Sequence, residues 1–456
     1  MINSNEQASY IEQPRFSCAL AAQQTVLAIP RALPIVHSGP GCVGKTFAFA
    51  SYGAGFQGEG YGGGGTVSCT NTNEQDVVFG GEEKLSRFIE GAFKVLKGDL
   101  FVVLSGCTSG IVGDDVAQVA SVFARQGRPI VGVETSGFRG NNYLGHELVV
   151  SGIIRGFIGD PQVKVKRGLV NVFSVVPCQN PFWRSDLEEI KRILQAVGLE
   201  VNILFGNESQ GVEEWKTIPH AQFNLVLSSW VGLQTAELLK DTYGTPYLHI
   251  PYLPSGAEET SRVLREIGVF AGLDPAKVET VIRKEEKRFY SYFVSLADFL
   301  ADFRNNIPFE LYTIADSSYA AGLSGFLVNE LGFVPRGVYI TDDPPVRRRG
   351  TIEKVFSDMA ADFDGTLSFQ IDGGPIQEDI RKKLGGSSKA VIMGSTWEDK
   401  LAAENGNLSL HVSLPINNSV IINRSYAGYN GGLRLMEDIY EGIFRKGNIA
   451  STTQTR

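Results

Sequence analysis

Leu100-Phe101-Val102-Val103-Leu104-Ser105-Gly106-Cys107-Thr108-Ser109-Gly110-Ile111-Val112-Gly113-Asp114-Asp115 decides the fold. An apolar run of strand length ends in a small-residue turn, and a helix start follows. An unbroken apolar strand feeding a helix through glycine is the unit of a parallel sheet covered on both faces. In such sheets ligands sit outside the carboxyl ends of the strands, which is where Cys107 falls.

The same unit recurs along the chain. Apolar runs include Pro129–Glu134, Val170–Pro177, Val201–Phe205, Asn224–Ser228 and Tyr247–Pro251. Later runs are Leu311–Ala315, Gly337–Thr341, Ser368–Ile371, Ala390–Gly394 and Leu410–Leu414. Helical stretches such as Ser185–Val197, Thr260–Phe270, Val278–Phe303 and Glu378–Leu384 separate them. These are more strands than one doubly wound sheet holds comfortably. The expected fold class is α/β, with three Rossmann-like domains, each a mostly parallel sheet flanked by helices. Their expected bounds are 1–159, 160–304 and 305–456.

Composition narrows the function. The 456 residues are 43% hydrophobic and 20% charged, as in an ordinary globular protein. Fifty acidic against 42 basic residues give a net charge of −8. A nucleic-acid binder would carry a basic surplus or stripe, and none is present. No apolar run reaches the roughly 20 residues that span a bilayer. The polar start, MINSNEQASYIEQ, lacks a basic and apolar leader, so a cytoplasmic location is expected.

Five cysteines, an odd number in a long chain, do not make a disulfide framework. Three of them, Cys18 in PRFSCAL, Cys42 in HSGPGCVGKT and Cys107, each lie at a strand edge or helix start. Thiolates so placed can point from a rigid scaffold toward one iron–sulfur cluster. A closed cubane takes about four thiolates, so three point to a cluster finished by another chain.

Gly39-Pro40-Gly41-Cys42-Val43-Gly44-Lys45-Thr46 also fits the phosphate-loop pattern G-x-x-x-x-G-K-[ST]. A nucleoside triphosphatase needs an acidic residue ending a later strand to hold Mg²⁺. The next strong strand ends in Ser105-Gly106-Cys107 instead. Asp114 and Asp115 come later, where carboxylates suit a helix start. The glycine-rich stretch Tyr52–Gly65 reads either as a loop packed on a cofactor or partner, or as a surface loop.

Four motifs in order carry a resemblance: Cys18; Cys42 in GPGCVGK; Cys69 through Val77-Val78-Phe79-Gly80-Gly81; and Cys107 through Gly113-Asp114-Asp115. Together they resemble the nitrogenase component 1 superfamily, most densely over Pro14–Gly145. The resemblance implies that Cys18, Cys42 and Cys107 supply half the ligands of a P-cluster, an [8Fe-7S] iron–sulfur centre. A homologous α-type subunit would supply the rest, in an α2β2 heterotetramer. A homodimeric ATP-dependent iron–sulfur reductase would deliver electrons.

No cysteine follows Cys178, and Arg424-Ser425-Tyr426-Ala427-Gly428-Tyr429-Asn430-Gly431-Gly432 looks like a β-type segment. His411, in LSLHVSLP, does not stand in a cofactor-ligand setting. The chain is therefore expected to be a β-type subunit that relays electrons and holds no catalytic residue. The larger iron–sulfur active-site cofactor is expected in the partner. Where many nitrogenase β chains carry a serine ligand, Gly137 stands here beside Ser136. Lys45-Thr46-Phe47 also departs from the nitrogenase pattern, and the long N-terminal extension of molybdenum-type β chains is missing. These features favour a nitrogenase-like reductase, with methylthio-alkane reductase as the relative named and thioether C–S cleavage as its reaction. A true nitrogenase β chain and a cofactor-assembly scaffold are the alternatives.

Overall fold

The computed structural model describes residues 11, 13–48, 54–56, 67–159, 162–298, 301, 308–359, 365–385, 389–404 and 406–453. Three parallel sheets form its frame. The first orders its strands Ser68–Cys69, Ala32–His37, Leu100–Ser105, Ile130–Val133. In the second the order is Glu200–Asn202, Lys166–Phe173, Ala221–Leu227, Tyr247–Ile250. The third runs Thr366–Phe369, Val334–Ile340, Glu310–Ala315, Ala390–Gly394, Leu408–His411. Helices flank each sheet, as the alternation of apolar runs and amphipathic stretches predicts.

Central strands are buried from end to end, as in Leu100–Ser105 and Ala390–Gly394. A strand covered on both faces has no polar side to show, which is why these two are continuous apolar runs. One hydrophobic core joins residues of all three sheets, from Val36 and Val102 through Val170 and Leu225 to Leu311 and Val391. The first and third sheets each back a second, smaller cluster on their other face.

In the first sheet the chain leaves Ala32–His37 toward one neighbour and later returns on the other side, at Leu100–Ser105. A crevice opens outside the carboxyl ends where the order switches. The loops after these two strands carry Cys42 and Cys107.

Candidate redox site: a thiol face at the carboxyl edge of the first sheet

Cys69, Cys42, Cys107 and Gly137 follow successive neighbouring strands at the carboxyl edge of the first sheet. Cys107 opens the helix Cys107–Val112, with Gly106 as its N-cap. Gly106 has no room for a side chain, because a Cβ there would stand 2.2 Å from Ser38 Oγ. Cys18 reaches the same edge from the N-terminal segment, bridged antiparallel to Asn141.

The thiols form two groups. Around Gly137, the backbone N–H donates to Cys107 Sγ at 3.2 Å. A Cβ at Gly137 would lie 2.8 Å from Cys107 Sγ and 3.9 Å from Cys18 Sγ, so both sulfurs occupy the space of a missing side chain. Around Ser38, the hydroxyl donates to Cys42 Sγ at 3.7 Å, and the Cys69 thiol donates to the carbonyl at 3.1 Å. Burial pushes the Cys69 thiol up from its ordinary value.

Beneath the thiols lies a buried histidine–carboxylate pair. His37 Nε2 stands 2.9 Å from Asp114 Oδ2, and Nδ1 stands 3.0 Å from Thr70 Oγ1. Burial lowers the His37 pKa against the pull of Asp114, so the neutral ring donates Nε2–H to the carboxylate and accepts from Thr70. The other Asp114 oxygen accepts the Gly81 N–H at 2.9 Å. This replaces the helix-start role expected of Asp114, whereas Asp115 does cap its helix, accepting the Gln118 N–H at 2.8 Å. The expectation that His411 is structural agrees with its contact to Asp399 at 2.7 Å. Ser136 is buried and packs against Gly110.

The phosphate-loop pattern does not form a phosphate cradle. A helix begins at Gly41, inside the motif, and the Gly44 N–H is already spent on the Pro40 carbonyl at 3.1 Å. The Lys45 side chain lies outside what is described, as does most of the glycine-rich stretch beyond Ala54–Phe56.

The cofactor expectation needs correction. Among the described residues no group of three or more His, Cys, Asp or Glu side chains could hold a metal ion. Cys18 and Cys107 turn to Gly137 while Cys42 turns to Ser38 and Cys69, so three converged thiolates are not present. A P-cluster half held by this chain, with the larger cofactor assigned to the partner, is therefore overturned.

Sequence reasoning missed a second polar centre, between the second and third sheets. Buried Asp186 accepts from the Tyr319 hydroxyl, Ser425 Oγ (2.7 Å), Tyr426 N (3.0 Å) and Ala427 N (3.1 Å). Burial raises its pKa to about 6, against the pull of those donors. Asp316 and Asp342 form a buried pair nearby, and burial pushes both carboxyls up. Asp342 accepts Trp230 Nε1–H and the Ser317 hydroxyl, each at 2.7 Å. The signal was an aspartate directly after the apolar strand Glu310–Ala315. A cavity of 890 Å³ lies elsewhere, between helices Pro275–Ser295 and Gly428–Thr453, and no cysteine lines it.

Comparison with known proteins places these features in a family. The family described as nitrogenase component 1 type oxidoreductase matches residues 17–444. The chain is 26% identical over 228 residues to the nitrogenase molybdenum-iron protein alpha chain of Methanosarcina barkeri, covering 48% of this chain and 41% of that one. It is 24% identical over 363 residues to one chain of the light-independent protochlorophyllide reductase of Leptolyngbya boryana, covering 76% and 67%. The match spans about half the length of the first such relatives. A solved structure, nitrogenase Cp1 at pH 6.5, shares the fold with a TM-score of 0.78 at 19% identity, over 96% of this chain and 94% of that one.

These likenesses run to nitrogenase α chains and to a protochlorophyllide reductase chain. They overturn the expectation of a β-type chain that only relays electrons, and with it the methylthio-alkane reductase assignment. The physical reason lies in the segment that pointed to a β type. Ser425, Tyr426 and Ala427 satisfy the buried Asp186, and a Cβ at Gly431 would meet the Tyr426 carbonyl carbon at 2.0 Å. Packing alone accounts for those residues, so they do not mark the subunit type.

Proposed function

This chain belongs to the nitrogenase component 1 type oxidoreductase family, and we propose that it takes up electrons at the Cys18–Cys107–Cys42 face. Its place is the catalytic class to which the nitrogenase α chains and the protochlorophyllide reductase chains belong. In this reading Cys18, Cys107 and Cys42 are metal-ligating thiols, and the missing ligands come from a homologous partner chain seated on the first sheet's carboxyl edge. The electron donor is an ATP-dependent iron–sulfur reductase, and the assembly works in the cytoplasm as paired heterodimers. Within the described residues no helix is long and apolar enough to cross a membrane.

The observation that carries the proposal is Gly137. Its N–H aims at Cys107 Sγ, and its missing side chain leaves space that the two sulfurs share. An N–H donor to a thiolate sulfur stabilises its negative charge and tunes a metal bound to it. Iron bound there supplies one-electron transfer. This chain supplies the thiolates, the N–H donor and an apolar rim in which Ile111 is 72% and Phe138 67% exposed. Apolar side chains so exposed beside a reactive face are suited to a covering partner.

Anaerobic isolation from the native host tests this. The expected result is iron together with a second, homologous chain, with both lost in Cys107→Ala while the fold persists. An iron-free protein that purifies alone would refute it.

A further inference from the structure

The segment that delivers Cys18 is fastened to the third sheet, far away in sequence. Gln13 N donates to Asp372 Oδ1 at 3.1 Å, and Gly373 N returns a bond to the Gln13 carbonyl at 3.1 Å. Arg15 N donates to the Ile371 carbonyl at 3.1 Å. The Arg15 guanidinium then enters the carboxyl end of the third sheet and forks onto Glu398, with Nη1 to Oε2 at 3.0 Å and Nη2 on Oε1. Ser395 Oγ accepts a further bond from Nη1 at 3.2 Å, and the Trp397 ring lies 4.9 Å beneath the guanidinium. The two charged side chains are 1% and 0% exposed. Gly373 has no Cβ because one would stand 2.7 Å from Arg15 Nη2.

Three residues on, the same segment is pinned to the first unit. Asn142 N donates to the Ser17 carbonyl at 2.8 Å, and Ala19 N donates to the Gly140 carbonyl at 2.9 Å. Cys18 thus hangs between two fixed points, one on each unit. The crevice at the strand ends of an open α/β sheet, where a ligand would ordinarily sit, is filled here by the chain's own arginine.

We infer that Arg15 is a positioning residue: its fork on Glu398 makes the third sheet set where the Cys18 thiol stands against Cys107. The role of those thiols rests on the function proposed above, but the positioning does not, and it can be read on the metal-free chain. A buried, bidentate pair suits the task because it has one geometry and breaks at high cost when either partner is removed.

Phenylarsine oxide gives the test, because it reports two thiols at once. Two S–H bonds give up their protons, two As–S bonds form, and the arsenic oxygen leaves as water. Peptide mapping identifies which cysteines are bridged. The reduced wild-type chain should be captured across Cys18 and Cys107. In Arg15→Met and Glu398→Gln capture should weaken by about tenfold or more, since loosening one thiol lowers its effective concentration at the other. Buried Cys178 should stay unreactive, which reports an intact fold. If Arg15→Met exposes Cys178, Arg15→Lys decides the matter, because it keeps the charge and loses the fork. Its capture should fall between wild type and Glu398→Gln. Capture equal to wild type in folded variants, or no Cys18–Cys107 bridge in wild type, overturns the inference.

Discussion

The two polar centres of this molecule differ in completeness. At Asp186 each carboxylate oxygen is met by donors from its own chain, and the residue is buried. At the thiol face one N–H reaches Cys107, Cys18 is exposed, and apolar side chains stand in solvent around it. Both centres lie at carboxyl ends of strands, so topology does not separate them. The first is a closed joint between units. The second is an open edge whose chemistry needs something from outside.

Breaking the closed joint should have the largest effect. Asp186→Ala leaves the donors of Tyr319, Ser425, Tyr426 and Ala427 buried without their acceptor. We expect a loss of about 3–5 kcal/mol in urea unfolding. Gly137→Ala at the open edge places a Cβ 2.8 Å from Cys107 Sγ. It should cost about 1–3 kcal/mol by overpacking and push the two thiols apart. A cost confined to stability, with iron uptake unchanged, would detach Gly137 from the proposed function.

The joint also predicts a pH dependence. Asp186 titrates at about 6 in the folded chain, above its ordinary 3.8. Between those values the folded chain holds a proton that the unfolded chain has released. Its contribution to stability is therefore present below the lower value and lost as the pH rises through about 6. Asp186→Asn does not titrate, so its stability relative to wild type should rise between pH 4 and pH 7. A difference that stays flat over that window contradicts the burial argument. The smallest effect belongs to the rim. Phe138→Ser should change the isolated chain's stability by no more than about 0.5 kcal/mol while weakening recovery of a partner chain.

Much of the frame was legible in the sequence because a fully covered strand leaves no other pattern. Leu100–Ser105 and Ala390–Gly394 were bounded correctly for that reason. The strand at Lys166–Phe173 was placed late, at Val170, because its first residues are exposed and polar. Cys18, Cys42 and Cys107 do reach one edge, but spacing could not show that Cys42 turns to Ser38 rather than to Gly137. Subunit type was not legible either, since Arg424–Gly432 is shaped by contacts with Asp186, more than 200 positions away. Arg15 was hidden for the same reason, because its partner Glu398 lies at the other end of the chain.

The central claim is that the thiol face is open in the chain alone and closed by metal and a partner in the working assembly. Differential alkylation tests it most directly. Cys18, Cys42 and Cys107 should resist iodoacetamide in the anaerobically isolated assembly and react once iron is chelated and the chains are separated. Equal labelling of these three cysteines in both states would contradict the account.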